Sequence, residues 1–279
     1  MLRALVFFLA VTSMGCAVSV VPSGTLRHVE GAPASTTLDP AHIRVLVWNV
    51  YKASLPGWWD DFSGLVPSHD VFLLQEGLWR PEDEARHKGL GVDWWMGVTF
   101  INEWSAGDPA TGTIIGGKSP VHRASSRHSR YLEPVVGTPK SHSFGRFALA
   151  GRDEELLAMS VHAINFRLGL TAFGDHVRSA LRDAAHHEGP VIVAGDFNTW
   201  SEERTDYLFD LMTQHGFESP YPRSTDDGPS DGRTLSGSWY LDHAFLRGLE
   251  VRGEPQVLTT IDSSDHEALS FEVGVPRPR

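Results

Sequence analysis

The sequence predicts a mixed α/β domain in which sheets are covered by helices. Short apolar runs recur along the chain, and several are continuous enough to be buried on both faces of a sheet. Between them, two segments repeat apolar residues at helical spacing. The chain has 279 residues, of which 41% are hydrophobic and 21% charged. That is enough for a sizeable core, and a single α/β domain of this size is ordinary.

The apolar runs are expected to form the strands. In chain order they are Ile43–Asn49, Val71–Gln75, Gly112–Gly116, Leu156–Val161, Val191–Ala194, Trp239–Leu246 and Leu269–Val273. A stretch rich in Pro, Gly, Ser and Asp, Ser219–Ser238, precedes the sixth run and overlaps no periodic pattern. We expect a long loop there, and loops of that length in compact domains are usually functional or disordered.

Two helices are predicted from apolar residues at helical spacing. The first spans Leu170 to Ala184, and Gly189-Pro190 stops it. The second covers the apolar positions of Tyr207–Met212 and ends before Gly216. Ser201 is a suitable N-cap for this second helix, because a serine hydroxyl can accept a hydrogen bond from a backbone N–H of the first turn.

The first residues have the pattern of an export signal. A short positive start, Met1–Arg3, is followed by the apolar run Ala4–Val11 and then by small residues. Because that run is too short for a permanent membrane span, a cleaved signal peptide is expected. The one cysteine, Cys16, ends the sequence Ser-Met-Gly-Cys and resembles the lipobox of bacterial lipoproteins, where the cysteine is lipidated. The alternative is an incidental cysteine in an ordinary signal peptide.

These patterns divide the chain into four parts. Residues 1–16 are expected to be the signal peptide, 17–41 a flexible tether, 42–274 the folded domain and 275–279 a tail. We expect an exported, monomeric protein, located in the periplasm or at the cell surface and anchored to the membrane if Cys16 is lipidated. A single cysteine excludes a disulfide framework and a cysteine-rich structural zinc site.

The formal net charge of −11 bears on the partners. A negative field repels polyanions at long range, so avid binding of nucleic acid regardless of sequence is not the default expectation. A nuclease with a locally different cleft remains compatible with this charge. The one basic cluster, His122–Arg130, either lines a polyanion groove or is a solvated loop.

Polar side chains follow the apolar runs at the points where strands should end. They are Asn49, Gln75-Glu76, His162 with Asn165, Asp196 with Asn198, Asp242, and Asp265-His266. Loops at strand ends hold catalytic groups rigidly. Carboxylate and carboxamide oxygens suit a hard cation such as Mg²⁺ or Mn²⁺, and imidazoles suit proton transfer. No Ser or Cys stands in a recognisable nucleophile elbow. The inventory therefore suggests metal-assisted phosphoester hydrolysis.

Taken singly, these residues are better explained by structure. Asn49 would serve as a turn residue, Glu76 as a solvated acid and His162 as a hydrogen-bonded core histidine. What favours function is the order, because six segments taken in order along the chain each place a residue of the appropriate chemical type in or next to a hydrophobic run.

The ordered motifs RVLVWN, LLQE, SVHAIN, GDFN, LDHAF and SDHEAL resemble the endonuclease/exonuclease/phosphatase superfamily. This superfamily includes pancreatic deoxyribonuclease, apurinic endonucleases, neutral sphingomyelinases and inositol polyphosphate 5-phosphatases. The resemblance covers residues 42–274 and is greatest to a poorly characterised bacterial branch. It implies a four-layer α/β/β/α sandwich, in which two packed mixed β-sheets are flanked by helices and the site lies at one edge.

The resemblance also implies which residues bind metal and substrate. Glu76 is the leading ligand of Mg²⁺ or Mn²⁺, Asn49 binds metal or phosphate, and Asp265 contributes to the metal site or supports it. Asn165 is expected to bind substrate. In the deoxyribonuclease branch a second acid supports one histidine and an arginine contacts phosphate. Neither has a clear match here, and Lys140 is the candidate for the phosphate contact.

The catalytic residues implied by the resemblance are five. Asp196 would orient or deprotonate the attacking water, and Asn198 would hold a phosphate oxygen. His162 and His266 would flank the scissile phosphate, and Asp242 would fix the tautomer of His266 and favour its charged form. Whether Asp196 or His266 is the base, and whether one or two metals act, stays open.

Together these patterns predict an exported, divalent-metal-dependent phosphodiester hydrolase with nuclease-like activity. The substrate is expected to be a phosphodiester, in nucleic acid or in a phospholipid headgroup. One alternative is a phosphoesterase acting on phospholipids or sugar phosphates at the membrane surface. Another is a catalytically inactive binding lipoprotein, which the intact polar set argues against.

Overall fold

The structure, a computed structural model, describes residues 18–103, 105–134, 136–223, 235–236 and 239–277. The strands are β1 (Val18–Val20), β2 (Leu26–Val29), β3 (Ile43–Asn49), β4 (Val71–Trp79), β5 (Asp93–Asn102), β6 (Ala110–Gly117), β7 (His122–Leu132), β8 (Pro139–Ala148), β9 (Glu155–His162), β10 (Val191–Asp196), β11 (Leu235–Ser236), β12 (Trp239–Tyr240), β13 (Asp242–Arg247), β14 (Glu250–Leu258) and β15 (Ala268–Gly274). The helices are α1 (Trp58–Leu65), α2 (Glu84–Gly89), α3 (Thr171–Ala185) and α4 (Glu202–Gln214). Within these ranges no helix is long and apolar enough to span a membrane.

Thirteen of the strands form two mixed sheets, and β11 and β12 pair with each other in a separate antiparallel sheet of two strands. The first has the order β1-β5-β6-β4-β3-β15-β14, with β2 also pairing with β5, and the second has the order β13-β10-β9-β8-β7. In the first sheet β3 and β4 are parallel, and in the second β9 and β10 are parallel. The other pairings within the two sheets are antiparallel.

The two sheets pack face to face around an apolar core. Val45 and Val47 of β3 point into this core and share it with Ala158 of β9 and Ile192 of β10. Because successive strand residues face opposite sides, the alternate residue Trp48 points outward instead. Both faces of β3 are therefore buried, as its continuous apolar run predicts.

Helices cover the outer faces of both sheets. On the second sheet, Phe173 of α3 and Leu208 of α4 pack in one cluster with Val193 of β10. On the first sheet, Phe62 of α1 packs against Trp94 of β5, with ring centroids 5.7 Å apart. The order of layers is helix, sheet, sheet, helix, which confirms the four-layer sandwich expected from the sequence.

Each apolar run and each helical pattern read from the sequence forms the expected type of element. The run Ile43–Asn49 coincides with β3, and the run Trp239–Leu246 is divided between β12 and β13. Helix α4 begins at its expected N-cap, where Ser201 Oγ accepts a hydrogen bond from Arg204 N at 3.4 Å. Of the expected long loop, residues 219–223 lie within the described part of the chain, together with β11.

The strands that sequence patterns missed are mostly polar or lie at sheet edges. The basic cluster His122–Arg130 is part of β7, an edge strand, so the expectation of a loop there is wrong. Residues of β7 are exposed or partly exposed at most positions, which leaves no continuous apolar run to detect. Its Arg127 forms an ion pair with Asp183 of α3.

The residues expected to be a flexible tether are structured from Val18 onward. Strands β1 and β2 both pair with β5, and Leu38 is buried and hydrogen-bonded to Ala148. Strands of three and four residues within a stretch rich in Ser, Pro and Gly escape a periodicity test, because their order comes from pairing with β5. The expected signal peptide and Cys16 lie outside the described residues. The apolar clusters of the described residues begin at Val21.

Candidate active site

The carboxyl ends of the two parallel strand pairs meet at one edge of the sandwich. In the first sheet Asn49 lies opposite Gln75, and Glu76 follows directly. In the second sheet His162 lies opposite Asp196. The two sheets are joined here by a hydrogen bond from Asn49 Nδ2 to Asp196 Oδ2 at 3.0 Å. The strand ends thus bring together the polar residues that the sequence placed on separate segments.

Asp196 lies at the centre of this cluster. Its Oδ2 is 3.4 Å from His162 Nε2 and 3.9 Å from His266 Nε2. Its Oδ1 accepts a hydrogen bond from the backbone N–H of Asn198 at 2.9 Å. Burial raises the pKa of Asp196 to about 6, although the charge on His266 acts in the opposite direction. Near neutral pH the carboxylate is therefore ionised but close to the range where it can accept a proton.

Gly195 allows strand β10 to approach β9 closely just before Asp196. A Cβ atom at this position would lie 2.0 Å from the carbonyl oxygen of Val161, and the glycine has a φ of 146°. A side chain would push the strands apart. The glycine of the GDFN motif therefore has a packing role that places the aspartate.

His266 is held by Asp242 on the side away from Asp196. Its Nδ1 lies 2.8 Å from Asp242 Oδ2, which leaves Nε2 directed at the site. Burial alone would lower the pKa of His266, but the carboxylates of Asp242 and Asp196 outweigh it and raise the pKa to about 10. The imidazole is a cation at neutral pH, as the sequence analysis expected.

Two lysines lie against the carboxylate of Glu76. Lys52 Nζ forms an ion pair with Oε2, and Lys140 Nζ lies 3.9 Å from Oε1. Burial would raise the pKa of Glu76, but Lys140, His162 and Lys52 outweigh it and lower the pKa to about 2. Glu76 is therefore ionised across the working pH range and faces at least two positive charges.

Lys140 also contacts His162 directly. Its Nζ lies 2.6 Å from His162 Nε2. Burial and the neighbouring ammonium of Lys140 hold the pKa of His162 well below its usual range. His162 is thus a neutral imidazole whose Nε2 accepts from Lys140. The two histidines of the site therefore differ in charge. Burial and Lys140 keep His162 neutral, whereas Asp242 and Asp196 keep His266 protonated.

Three residues of the site have left-handed backbone conformations. The φ angles are 55° at Lys52, 50° at Glu76 and 52° at Asn198. Such angles are uncommon for residues other than glycine and gather at functional sites, where they direct side chains. Sequence reasoning missed Lys52, because it lies in the irregular turn Tyr51–Ala53 after β3, and no pattern predicts that turn.

Arg204 is a second residue that sequence reasoning missed. It is buried, and its guanidinium donates to the carbonyls of Ile164, Asn165 and Asn198 at 2.9–3.0 Å. It therefore ties the loop after β9 to the loop after β10. A charged residue in the first turn of an amphipathic helix would be assigned to the solvated face, so the sequence gives no signal for this role.

Asn165 and Asn198 take part in this support. Asn165 donates its backbone N–H to Glu133 Oε1 at 2.6 Å, and Asn198 Nδ2 donates to the carbonyl of Ala163 at 3.1 Å. The expected contacts of both residues with substrate stay predictions.

A divalent cation fits the chemistry of one side of the site. Glu76 offers an ionised carboxylate, and Asp265 is close enough for its carboxylate to repel that of Glu76. Asn49 lies on the adjoining strand. The described residues contain no cluster of three or more His, Cys, Asp and Glu side chains that could hold a metal. Mg²⁺ commonly binds through only one or two carboxylates, with water and substrate phosphate completing its shell.

A cavity of about 270 Å³ opens beside these groups. Part of its lining is formed by Lys52, Glu76, Lys140 and His162. The remaining wall is largely apolar and includes Val18, Phe100, Val136, Pro139 and Phe166. The reacting groups therefore lie beside a space whose lining is mainly apolar rather than charged.

Comparison with known proteins agrees with this arrangement. The family model described as the endonuclease/exonuclease/phosphatase family matches residues 46–266, which include each strand-end motif. The chain belongs to the endonuclease/exonuclease/phosphatase family. Members of this family are phosphoester hydrolases, and that class of chemistry holds for the chain.

The sequence relatives include bacterial proteins. A UPF0294 protein of Vibrio vulnificus is 30% identical over 256 residues, covering 90% of this chain and 84% of that protein. A UPF0294 protein of Vibrio cholerae is 31% identical over 238 residues, covering 85% and 80%.

Solved structures of the family share the fold. A protein of Beutenbergia cavernae titled endonuclease/exonuclease/phosphatase superposes with a TM-score of 0.64 at 14% identity, covering 84% of this chain and 72% of that one. The human Nocturnin catalytic domain with bound sulfate gives 0.61 at 16% identity, covering 91% and 98%.

Proposed function

We propose that this family member is an exported, divalent-metal-dependent phosphodiester hydrolase that uses Asp196 as the base and His266 as the acid. The observation that carries the proposal is the opposition of these two groups. A carboxylate with a pKa near 6 faces an imidazole with a pKa near 10 across 3.9 Å. At neutral pH the first can take a proton and the second can give one, as hydrolysis requires.

The assignment of the base follows from the charges. His266 already carries its proton at neutral pH, so it cannot accept one from water. His162 is neutral, but its Nε2 lies 2.6 Å from the ammonium of Lys140. Asp196 is left as the group that orients a water and receives its proton.

In the proposed reaction two residues handle the protons, since one accepts a proton and the other donates one. Water held by Asp196 attacks phosphorus in line with the leaving oxygen, and its proton passes to the carboxylate. The bond from phosphorus to the leaving oxygen breaks, and His266 donates its proton to that oxygen. Lys52 and Lys140 offset the negative charge on the other phosphate oxygens, which is the electrostatic help that anionic esters need.

The chemistry of the donors supports a role for a divalent cation. Glu76 would hold it, with Asn49 and Asp265 beside it, and the bound ion would neutralise charge developing on the phosphate oxygens. Export is proposed from the pattern of residues 1–16, and lipidation from the position of Cys16 within it.

Two classes of phosphodiester remain candidates, namely nucleic acid and phospholipid headgroups. The basic cluster on β7 offers little support for a nucleic-acid groove, because Arg127 is committed to Asp183 and His128 Nε2 contacts the carbonyl of Val98. The largely apolar cavity wall favours a substrate with an apolar portion.

The test uses the chain without residues 1–16, the expected signal peptide. It should hydrolyse bis-p-nitrophenyl phosphate with Mg²⁺ or Mn²⁺ and stop when EDTA is added. Asp196→Asn should be inactive, and Asp210→Asn, at an exposed position of α4, serves as the matched control. Plasmid DNA, RNA, sphingomyelin and inositol phosphates in parallel assays identify the substrate class. Absence of hydrolysis with every metal and substrate would show the proposal to be wrong.

A further inference from the structure

Five of the six large apolar side chains that are exposed among the described residues lie on segments around one opening. Among the described residues, those on the segments that form the cavity are Val20, Leu132, Val136, Phe166 and Leu168, which we call the apolar rim. Leu168 is 89% exposed and Phe166 53%. Exposed apolar residues scattered singly are normal, but a group at the mouth of a site marks an interaction surface.

Hydrogen bonds hold the segments of the apolar rim together. The carboxylate of Glu133 accepts hydrogen bonds from the backbone N–H groups of Asn165 and Phe166, at 2.6 and 2.8 Å. Arg167 Nε donates to the carbonyl of Leu132 at 2.8 Å. The loop after β9 and the turn between β7 and β8 therefore present their apolar residues from one connected surface.

Strand β1 supplies the other side of the mouth. Val18 lines the cavity, and Val20, two residues on, points to the same face of the strand. Val20 pairs with Phe100 of β5, and Phe100 also lines the cavity. The apolar rim thus leads directly into the apolar wall of the cavity.

The cavity has the polarity of an amphipathic phosphoester. One part of its lining, with Lys52, Lys140 and His162, suits a phosphate. Another part, with Phe100 and Pro139, suits an apolar group attached to that phosphate. A nucleic-acid strand would need positive charge along its whole backbone, whereas the rest of this lining is largely apolar and includes the carboxylate of Glu133.

Basic side chains at the mouth suit a lipid surface in particular. The guanidinium groups of Arg130 and Arg167 lie over the ring of Tyr131, 5.9 and 5.5 Å from its centroid. They place positive charge beside the apolar rim of a chain whose net charge is −11, and anionic headgroups attract such groups.

We infer that the apolar rim docks the mouth of the active site on a membrane surface, so that the substrate is a phospholipid-type ester whose apolar part lies against the cavity wall. This rests on the proposed hydrolase function. Docking would bring the ester to Lys140 and His162 without removing the whole molecule from the bilayer.

Vesicle sedimentation tests the inference independently of catalysis. The chain without residues 1–16 is mixed with vesicles of phosphatidylcholine and phosphatidylglycerol, and the bound fraction is measured. The double variant Leu132→Ser/Leu168→Ser should reduce the partition coefficient at least about tenfold, because two exposed leucines lose their apolar burial in lipid. Val251→Ser is the matched control, since Val251 is exposed on β14, at the far edge of the first sheet. It should bind as the parent chain does.

The outcomes are distinct. Binding lost in the double variant but kept in Val251→Ser, with thermal midpoints unchanged in both, supports the inference. Absence of binding by the parent chain overturns it, as does equal loss in both variants. The inference is also overturned if the double variant still binds and high salt abolishes the binding, because the attraction would then be purely electrostatic. Hydrolysis of bis-p-nitrophenyl phosphate by the parent preparation is measured alongside. An active chain that ignores vesicles contradicts the membrane inference alone, and an inactive chain contradicts the hydrolase proposal.

Discussion

The carboxylate of Asp242 lies 2.8 Å from Nδ1 of His266 and keeps that imidazole charged far above the usual range of histidine. Replacement by Asn removes the charge but keeps the size of the side chain. In the parent chain, kcat/KM should rise with pH as Asp196 loses its proton near pH 6, and fall near pH 10 as His266 loses its own. In Asp242→Asn the upper limb should move down by at least one pH unit, since roughly one unit corresponds to 1.4 kcal/mol of lost interaction. A pH–rate series measures both limbs, and an unmoved upper limb would contradict the role of Asp242.

Asp196→Asn removes the proton acceptor and leaves the side-chain shape. The rate should fall by roughly 10²–10³ or more, as it does when a group that acts in the transition state is lost. The rising limb near pH 6 should disappear from the residual activity. Single-turnover rates with bis-p-nitrophenyl phosphate provide the measurement. A variant with the parent rate, or with the parent rising limb, would assign the base to another residue.

Glu76→Gln tests the metal site with a readout other than activity. The uncharged amide should weaken Mn²⁺ binding at least about tenfold, because hard cations prefer anionic oxygen ligands. Electron paramagnetic resonance of free Mn²⁺ measures the bound fraction directly. Glu202→Gln, at an exposed position of α4, is the control and should bind Mn²⁺ as the parent chain does. Equal affinity in all three chains would place the metal elsewhere.

Arg204→Met tests the support beneath the loops. Removing the guanidinium leaves the buried carbonyls of Ile164, Asn165 and Asn198 without their donor. We expect a loss of about 3 kcal/mol or more in the free energy of unfolding, since such bonds to a charged group are worth roughly 1.5–3 kcal/mol each and do not add fully. Urea denaturation measures it. Arg178→Met, on the exposed side of α3, should change stability by less than about 1 kcal/mol. Similar losses in both variants would deny Arg204 this special role.

Sequence patterns predicted the parts of this protein whose order comes from local rules. The buried strands β3, β9 and β10 are continuous apolar runs, and the site residues at their ends, such as Asp196, follow from where those runs stop. Strand β7 has no such run, because its order comes from pairing with β8. Strands β1 and β2 likewise gain their order by pairing, in their case with β5, so the sequence patterns predict a tether where the structure has strands.

The residues of the site that escaped prediction depend on tertiary contacts. Lys52 reaches Glu76 only because three consecutive residues adopt left-handed conformations. Arg204 is buried only because two loops from different strands close over it. Lys140 was assigned to phosphate, and its contact with His162 has no counterpart in the local sequence. Neither local periodicity nor residue type carries this information.

The position of β15 has a consequence for the newly made chain. This strand pairs with β3 inside the first sheet, so that Val273 lies opposite Ile43, and the segment just before it supplies His266. A growing chain that has not yet reached this segment lacks both the acid and the neighbour of β3. The contacts that complete the sheet join residues more than two hundred positions apart, and such distant pairings form slowly. The acid of the proposed reaction and the partner of β3 are therefore both in place only after nearly the whole chain has been made.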